Sequence, residues 1–276
     1  MNPYQLTPES IRQKARAVRR RIIHLNSNSP AGGHTGADLS QVEILCTLYF
    51  RAMNVSPDRI DDPERDIFIQ SKGHAVGCYY CVLAEAGYIP EEWLKTYQHS
   101  DSKLPGHPVR QKTPAIELNT GALGHGLPVG VGLALAAKMS GSRKRIFVVC
   151  GDGELAEGSI YEAALCAAKY KLDNLVVIID HNKLQLAGPV EDIMPLAPLA
   201  KKWEAFNWAV SECNGNEPSS IVAALEATDD GGGVPNVIIA HTKKGAGISF
   251  IEDQPAWHHR VPKGAEIERA LAELGD

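Results

Sequence analysis

The sequence has no hydrophobic run long enough to cross a membrane and no strong excess of either charge. Of its 276 residues, 44% are hydrophobic and 22% charged, and 28 Lys and Arg against 33 Asp and Glu give a formal net charge of −5. A weakly acidic chain has no field that would attract nucleic acid or an anionic membrane. These values are typical of a globular protein whose phosphorylated ligands, if any, are held by local geometry.

Two common phosphate-binding motifs are also absent. No G-x-x-x-x-G-K-[ST] pattern occurs, and GALGHG at 121–126 has the wrong glycine spacing for a dinucleotide fingerprint. The sequence therefore does not indicate a common type of nucleotide hydrolase or dehydrogenase.

The six cysteines include one C-x-x-C pair, Cys78 and Cys81, but no second Cys or His pair has zinc-site spacing. We expect a structural role for this pair, and free thiols in a reducing cytoplasm.

Segments of strand character alternate with segments of helical periodicity along most of the chain. A first helix is predicted from Thr7 as N-cap with Pro8 at its first position, and Ser40 with Glu43 matches a capping box for a second. Predicted strands begin near 66 and span 145–150, 175–180, 208–213 and 236–241, with helices at 75–87, 127–139, 158–170, 218–228 and from about 263. This pattern predicts one α/β domain over 1–276, with three layers and a mostly parallel sheet covered by helices on both faces.

The stretch RIFVVCGDGELAEGS at 145–159 places acidic residues and glycines directly after a predicted strand. Asp152 lies two residues beyond Cys150, the last strand residue, and Asn182 lies two beyond Asp180, where the next strand ends. The 30 residues from Asp152 to Asn182 match a strand–helix–strand crossover, so both side chains should meet at one edge of the sheet. A carboxylate and an amide there suit a hard cation such as Mg²⁺ that keeps positions open for phosphate oxygens.

A Gly-Asp-Gly turn is also common in surface hairpins, so a series of short motifs carries more weight. Between about residues 10 and 262 the chain contains, in order, AGGHTGADLS, SKGHA, LPGHP, NTGALGHG, GDGELAEGS, DHNKLQLAG, EDIMPLAPLAKKWEAFNW and WHHRVP. These motifs resemble the transketolase family, and most of all the N-terminal subunit of split transketolases, in which the usual single chain is divided in two. The resemblance implies the thiamine diphosphate-binding fold and its diphosphate-binding (PP) domain.

The resemblance implies a role for each residue that matches a family motif. Asp152 and Asn182 would coordinate Mg²⁺, or another divalent cation such as Ca²⁺ or Mn²⁺, through their side chains, and Leu184 through its carbonyl. The residues implied to bind thiamine diphosphate are His74, Gly121, Leu123, Gly153, Asp152 and Asn182. The residues implied near the reacting atoms are His34, His107, His258 and Glu157, the last at a subunit interface.

Histidine suits proton transfer to and from sugar oxygens because its unperturbed pKa lies near neutral pH. His259 adjoins His258, so either could be the site residue, and His125 replaces the Gln more common in the family. We expect the other histidines to be structural, namely His24, His99, His181 and His241. We expect Glu154 and Glu191 to be charged loop residues exposed to solvent.

The resemblance further implies that this chain is half of an active site. The pyrimidine-binding domain of the family, with the Glu that drives proton relay, is absent, so we expect a partner subunit to carry it in an α2β2 assembly. The implied reaction transfers a two-carbon ketol unit between sugar phosphates. The alternatives are a split paralogue for an unusual ketose phosphate similar to apulose 4-phosphate, a synthase similar to 1-deoxyxylulose-5-phosphate synthase, and an inactive structural or regulatory homologue.

Overall fold

The computed structural model describes residues 2–186, 188–228 and 232–275. Its strands are β1 (Ile67–Gln70), β2 (Ile146–Gly151), β3 (Leu175–His181), β4 (Leu184–Gln185), β5 (Gly188–Pro189), β6 (Ala209–Asn214) and β7 (Asn236–His241). Five of them form a sheet in the order β1-β2-β3-β7-β6, with every neighbouring pair parallel, and β4 pairs with β5 in a short antiparallel ladder.

Helices cover both faces of this sheet. They are α1 (Pro8–Ser27), α2 (Thr35–Ser40), α3 (Val42–Thr47), α4 (Val76–Glu85), α5 (Gly126–Met139), α6 (Gly158–Lys169), α7 (Val190–Ile193), α8 (Leu199–Ala205), α9 (Pro218–Glu226) and α10 (Ala265–Leu274). One hydrophobic cluster joins one face of the sheet to α1, α3, α4, α9 and α10, and a second joins the other face to α5, α6 and α8. The predicted three-layer α/β architecture is confirmed.

The central strands are apolar at nearly every position because both of their faces are buried. In β2, Phe147 and Val149 belong to the first cluster, whereas Ile146, Val148 and Cys150 belong to the second. Successive side chains of a strand point to opposite faces, so a strand between two helical layers needs an apolar residue at each position. This burial explains why the strand predictions from continuous apolar runs are confirmed.

Two predicted helix starts had different outcomes. Thr7 caps α1 as predicted, with its hydroxyl accepting a hydrogen bond from the backbone of Ser10 at 3.3 Å. The capping box of Ser40 and Glu43 is wrong. Ser40 is the last residue of α2 and its hydroxyl donates to Asp180, while the Glu43 carboxylate pairs with Arg19. Both side chains therefore bond to residues distant in the sequence and do not cap the local helix.

The remaining global expectations concern cysteines and membranes. All six cysteines are free, and Cys78 and Cys81 are buried within α4, in agreement with a structural role. None of the helices in the described ranges is long and apolar enough to cross a membrane.

A buried ion pair joins two strand ends at the carboxyl edge of the sheet. The Lys72 ammonium, after β1, donates to the Asp180 carboxylate of β3, and both side chains are almost fully buried. The hydroxyls of Ser40 and Thr242 donate to the same carboxylate. Burial alone would raise the pKa of Asp180, but the Lys72 charge and these donors hold it below its usual value. Segments from α2, β1, β3 and β7 are thereby held together.

We predict that Lys72→Met lowers the free energy of unfolding by about 3–5 kcal/mol, because it leaves the Asp180 carboxylate buried without its counterion. Urea unfolding followed by circular dichroism measures this change. The matched control, Lys138→Met, removes a more exposed ammonium that pairs with Asp173 at 2.8 Å. It should cost less than about 1 kcal/mol. Equal losses in the two variants would contradict the importance of the buried pair.

Candidate active site

The candidate site lies where loops leave the carboxyl ends of β1, β2, β3 and β7. In an open parallel sheet this edge is the usual place for ligands, because loops and helix N-termini converge there. Register places Gly151 of β2 opposite Asp180 of β3, and Asp180 opposite Ala240 of β7. The residues that follow each strand therefore meet at one level.

The loop tips that carry Asp152 and Asn182 do meet, as the sequence predicts. The Asp152 carboxylate is buried and accepts a hydrogen bond from the backbone N–H of Lys183 at 2.5 Å. The Asn182 side-chain oxygen accepts from the backbone N–H of Leu184 at 3.1 Å. Both loops are held by these contacts in a tight turn around the Asp152 carboxylate.

The donor atoms at these tips are all oxygens, from a carboxylate (Asp152), an amide (Asn182) and a main-chain carbonyl (Leu184). Such a set fits Mg²⁺, which prefers oxygen ligands and leaves positions for phosphate and water oxygens. No group of three or more His, Cys, Asp or Glu in the described parts of the chain could hold a metal ion.

Lys244 is a site residue that the sequence analysis missed. Its side chain is almost fully buried, and the ammonium donates to the Leu184 carbonyl at 3.0 Å and lies 2.8 Å from Nδ1 of His258. Both partners are neutral, and no carboxylate within the described ranges forms an ion pair with it. Its position three residues past β7, at the edge that holds Asp152 and Asn182, was the signal available in the sequence.

The electrostatic surroundings of Lys244 favour an anionic ligand. Burial, together with the charge of Lys72, lowers the pKa of Lys244 to about 8, although Asp152 and Asp180 oppose this shift. A buried ammonium without a counterion is costly, and an anion that reaches it removes part of that cost. The oxygen atoms of the two loop tips and the Lys244 ammonium thus adjoin at Leu184.

Glu154 is not a solvated loop charge, and that expectation is wrong. Its side chain is only 2% exposed, and its carboxylate accepts from the Ser71 hydroxyl and from the backbone N–H groups of Gly124 and Gly151, at 2.9 and 3.1 Å. Burial raises its pKa while these donors oppose the rise. The short 3₁₀ turn at Gly153–Ala156 directs the side chain inward, so Glu154 ties three site loops together. Glu191 is exposed, as expected.

Four of the predicted histidines lie together, although they come from four separate segments. The ring of His34 is 5.1 Å from His74, 5.5 Å from His258 and 6.5 Å from His107, measured between ring centroids. The rings of His74 and His258 are 5.3 Å apart. The structure therefore brings the implied reaction histidines to one surface beside Lys244.

These histidines are neutral at physiological pH in the free chain. Burial and neighbouring positive charges lower the pKa of His34 to about 4 and that of His258 to about 3. Burial also lowers the pKa of His74 and of His107. Neutral imidazoles each keep one nitrogen that accepts and one that donates a hydrogen bond, which suits contacts with sugar hydroxyls.

The sequence leaves open whether His258 or His259 is the site residue, and the two have different surroundings in the structure. His258 is half-buried and faces Lys244, whereas His259 is exposed, with its ring 4.6 Å from that of His34. The geometry therefore favours His258 inside the site and His259 at its rim. His125 is exposed at the start of α5. Nδ1 of His181, which we expect to be structural, lies 3.2 Å from the Asp152 carboxylate.

The remaining predicted residues line the edges of the site. Gly121 has a φ of +141°, and a Cβ there would lie 2.8 Å from the His107 ring, so only glycine fits. A Cβ on Gly153 would lie 3.0 Å from Cβ of Gln185 in β4. Leu123 is half-buried and Glu157 is exposed at the start of α6.

Comparison with known proteins agrees with this arrangement. Residues 12–275 match the family model described as "Transketolase, thiamine diphosphate binding domain". The chain is 66% identical over 276 residues to one subunit of the apulose-4-phosphate transketolase of Actinobacillus succinogenes, with all of both chains covered. It is 40% identical over 242 residues to the 6-deoxy-6-sulfo-D-fructose transketolase subunit SqwG of a Clostridium species, with 88% of each chain covered.

Solved structures share the fold. Transketolase from Leishmania mexicana matches 98% of this chain with a TM-score of 0.88 and 27% identity, and transketolase from Campylobacter jejuni matches 97% with a TM-score of 0.87 and 32% identity. In both cases this chain spans 42% of the length of the solved transketolase. The matched family model and these relatives show that the chain belongs to the transketolase family, within its thiamine diphosphate binding domain.

Proposed function

We propose that this chain is the diphosphate-binding subunit of a two-chain transketolase, with one PP domain that binds thiamine diphosphate together with a divalent cation. The observation that carries the proposal is the meeting, at Leu184, of the oxygen atoms of the loop tips with the buried Lys244 ammonium, which has no carboxylate partner among the described residues. A metal–diphosphate group needs both kinds of partner at one place.

The residues of this chain then have two tasks. The first is to hold the cation and the diphosphate, and the second is to orient the sugar and transfer its protons. Asp152, Asn182 and the Leu184 carbonyl hold the cation, and Lys244 takes a diphosphate oxygen. Thiamine diphosphate, when bound, supplies the electron sink for cleaving a carbon–carbon bond beside a carbonyl. The neutral rings of His34 and His258 orient sugar hydroxyls and accept or return their protons.

His107, at the exposed side of the cluster, shares this second task, whereas His74, which lies beside both of those rings, binds the diphosphate of the cofactor. General acid–base contributions of this kind are typically worth about 10²- to 10⁴-fold in rate. Gly121 and Leu123 contribute backbone and packing contacts to the cofactor, and Gly153 leaves room for the diphosphate.

The partner is a second polypeptide that supplies the rest of the active site. Two relatives are named as subunits of a transketolase, and this chain spans less than half of the solved single-chain enzymes. The exposure of Glu157 at the start of α6 supports a position for it at the interface with that partner. We propose an α2β2 assembly in the reducing cytoplasm, in keeping with six free thiols.

The substrate is an unusual ketose phosphate of the apulose 4-phosphate kind, from which a two-carbon ketol unit is transferred. This choice rests on the 66% identity to a protein named for that sugar. The synthase alternative is disfavoured because the relatives are named transketolases. An inactive homologue would have no need for the grouped histidines and oxygen donors.

We predict that the isolated chain with thiamine diphosphate and Mg²⁺ shows no transketolase turnover, because half of the active site is on the partner. Addition of the C-terminal subunit should give turnover with apulose 4-phosphate as donor and an aldose phosphate as acceptor. A coupled spectrophotometric assay measures this, with either polypeptide by itself as control. Robust turnover by this chain without its partner would refute the proposal.

We predict that Asp152→Ala weakens thiamine diphosphate binding to the two-chain enzyme by at least about tenfold in the presence of Mg²⁺, because a charged partner of the cation is lost. Titration calorimetry measures the affinity, and removal of Mg²⁺ with EDTA should reduce the difference between variant and wild type. The control is Asp61→Ala, an exposed carboxylate before β1 at the opposite edge of the sheet. An unchanged affinity in Asp152→Ala would remove the metal assignment.

We predict that Lys244→Met weakens binding of thiamine diphosphate by about ten- to hundredfold at pH 7, since one charge-assisted hydrogen bond is lost. Its neighbour offers a matched control. Lys243→Met removes an exposed ammonium that pairs with Glu252 at 2.9 Å, and it should leave the affinity unchanged. Inorganic pyrophosphate serves as a second probe, and equal effects of the two variants would show that Lys244 does not contact the diphosphate.

A further inference from the structure

A buried carboxylate lies close behind two histidines of the candidate site, and the proposed function gives it no task. Asp38 of α2 is 0% exposed. Its Oδ1 accepts a hydrogen bond from the backbone N–H of Cys78 in α4, and its Oδ2 accepts one from the side-chain amide of Asn26 in α1, both at 2.9 Å. A carboxylate away from water is costly unless its oxygens receive such bonds. Asp38 therefore joins α1, α2 and α4 at one buried point.

The backbone that Asp38 holds is the start of the helix that follows His74. His74 lies in a short 3₁₀ turn, and α4 begins two residues after it. The first N–H groups of a helix need acceptors, and the N-cap residue of α4 is an alanine, which has none in its side chain. Asp38 supplies the acceptor from α2, for the N–H groups of Cys78 and Gly77. A Cβ on Gly77 would lie 2.6 Å from Oδ2 of Asp38, so this close approach requires glycine there.

The helical face that begins with His34 contacts the chain directly after His74. His34 is the N-cap of α2, and Asp38 and Gln41 follow it at spacings of four and three residues. Such spacings place residues on one face of a helix. Gln41, at the end of α2, donates to the Ala75 carbonyl at 2.9 Å. Asp38 and Gln41 together therefore hold residues 75–78 against the helix that starts at His34.

The second oxygen of Asp38 is tied to the residue beside His34. Asn26 of α1 is 0% exposed, and its amide nitrogen donates to Oδ2 of Asp38 at 2.9 Å and to the Thr35 hydroxyl at 3.2 Å. Thr35 follows His34 directly, so one amide fixes both the start of α2 and the carboxylate. The hydrogen bonds therefore run from the residue after His34, through Asn26 and Asp38, to the backbone that follows His74.

Asp38 accepts these hydrogen bonds as an ionised carboxylate at pH 7. Burial raises its pKa to about 6, and the donated hydrogen bonds and the charge of Lys72 oppose that rise. Charged acceptors form the stronger bonds to N–H groups and are favoured at the start of a helix. Removal of the carboxylate would leave the first N–H groups of α4 without an acceptor, at a depth that water does not reach.

We propose that Asp38 is a positioning residue, which holds His34 and His74 in their relative places without contacting sugar or cofactor. The proposal rests on the proposed function, in which His34 acts on the sugar and His74 binds the diphosphate. The centroids of these two rings are 5.1 Å apart. A displacement of about 1 Å between groups that act on one reacting ligand can lower its rate about a hundredfold. The buried network sets this distance because it joins the segments that carry the two rings.

The first test needs only this chain and compares Asp38→Ala with a matched control, Asp66→Ala. Asp66 is also buried and accepts from two backbone N–H groups at 2.8 Å, but it lies before β1, at the edge of the sheet opposite the site. Histidine NMR should show His34 and His74 neutral down to pH 5 in the wild type and in Asp66→Ala. In Asp38→Ala both rings should titrate between pH 5 and 7, because the two segments separate and the rings lose part of their burial.

The second test measures the two-chain enzyme. Asp38→Ala should lower kcat by about ten- to hundredfold and weaken thiamine diphosphate binding by about tenfold, whereas Asp66→Ala should change neither by more than about twofold. If Asp38→Ala does not fold, Asp38→Asn takes its place, with losses of about three- to tenfold, because one acceptor oxygen remains. Adding Asn26→Asp to Asp38→Asn returns a carboxylate to the network and should recover at least about threefold of the lost kcat.

The two tests separate this proposal from the proposed function. If the wild-type enzyme is active and the Asp38 and Asp66 variants match in histidine titration and in kcat, Asp38 does not position the rings while the proposed function stands. A swap of Asn26 and Asp38 that recovers nothing would also overturn the role of the network. If the wild type shows no turnover with the C-terminal subunit, the proposed function fails, and the histidine titration alone still decides whether Asp38 holds the two rings.

Discussion

The buried pair of Lys72 and Asp180 is the contact on which the candidate site depends. It joins the ends of β1 and β3, and the hydroxyls of Ser40 and Thr242 bring α2 and the β7 loop to the same carboxylate. Two charges removed from water are stable together only when their remaining hydrogen-bonding capacity is used, and here several donors converge on Asp180. The segments that carry His34, His74, Asn182 and Lys244 all start within a few residues of this junction.

Charge is unevenly distributed over the edge that this junction creates. Carboxylate and carbonyl oxygens lie on the side of Asp152, and the Lys244 ammonium stands without an anionic partner on the side of His258, within the ranges described. A ligand that combines a cation with a phosphate anion would neutralise both sides at once. The low pKa values of the histidines follow from the same excess of positive charge together with burial.

The surface beside the site carries exposed apolar side chains. The site is open at Glu157, and α5 and α6 leave that rim with apolar side chains outward. The chain belongs to the transketolase family and spans 42% of the length of the solved transketolases it matches.

Much of the fold could be predicted from local patterns. Apolar runs of strand length alternate with helical segments, and burial on both faces of a parallel sheet leaves a strong signal, so β2, β3 and β7 were placed within one residue. The histidines that match family motifs also lie together in the folded chain, with ring centroids 5.1 to 6.5 Å from that of His34. Single polar residues were less predictable: Ser40 matches a helix cap in sequence, yet its hydroxyl found a charged partner 140 positions away.

The sequence by itself determined the layered architecture, the edge at which ligands gather and the residues that match the family. Only the tertiary structure decided that Glu154 is buried, that the Lys244 ammonium contacts the Leu184 carbonyl and His258, and that His258 rather than His259 turns inward. It also decided that Gly132 faces open space. The physical reason is how far apart in the sequence the interacting groups lie. Secondary structure follows from neighbours along the chain, whereas burial, ion pairing and pKa depend on groups that meet only after the chain has folded.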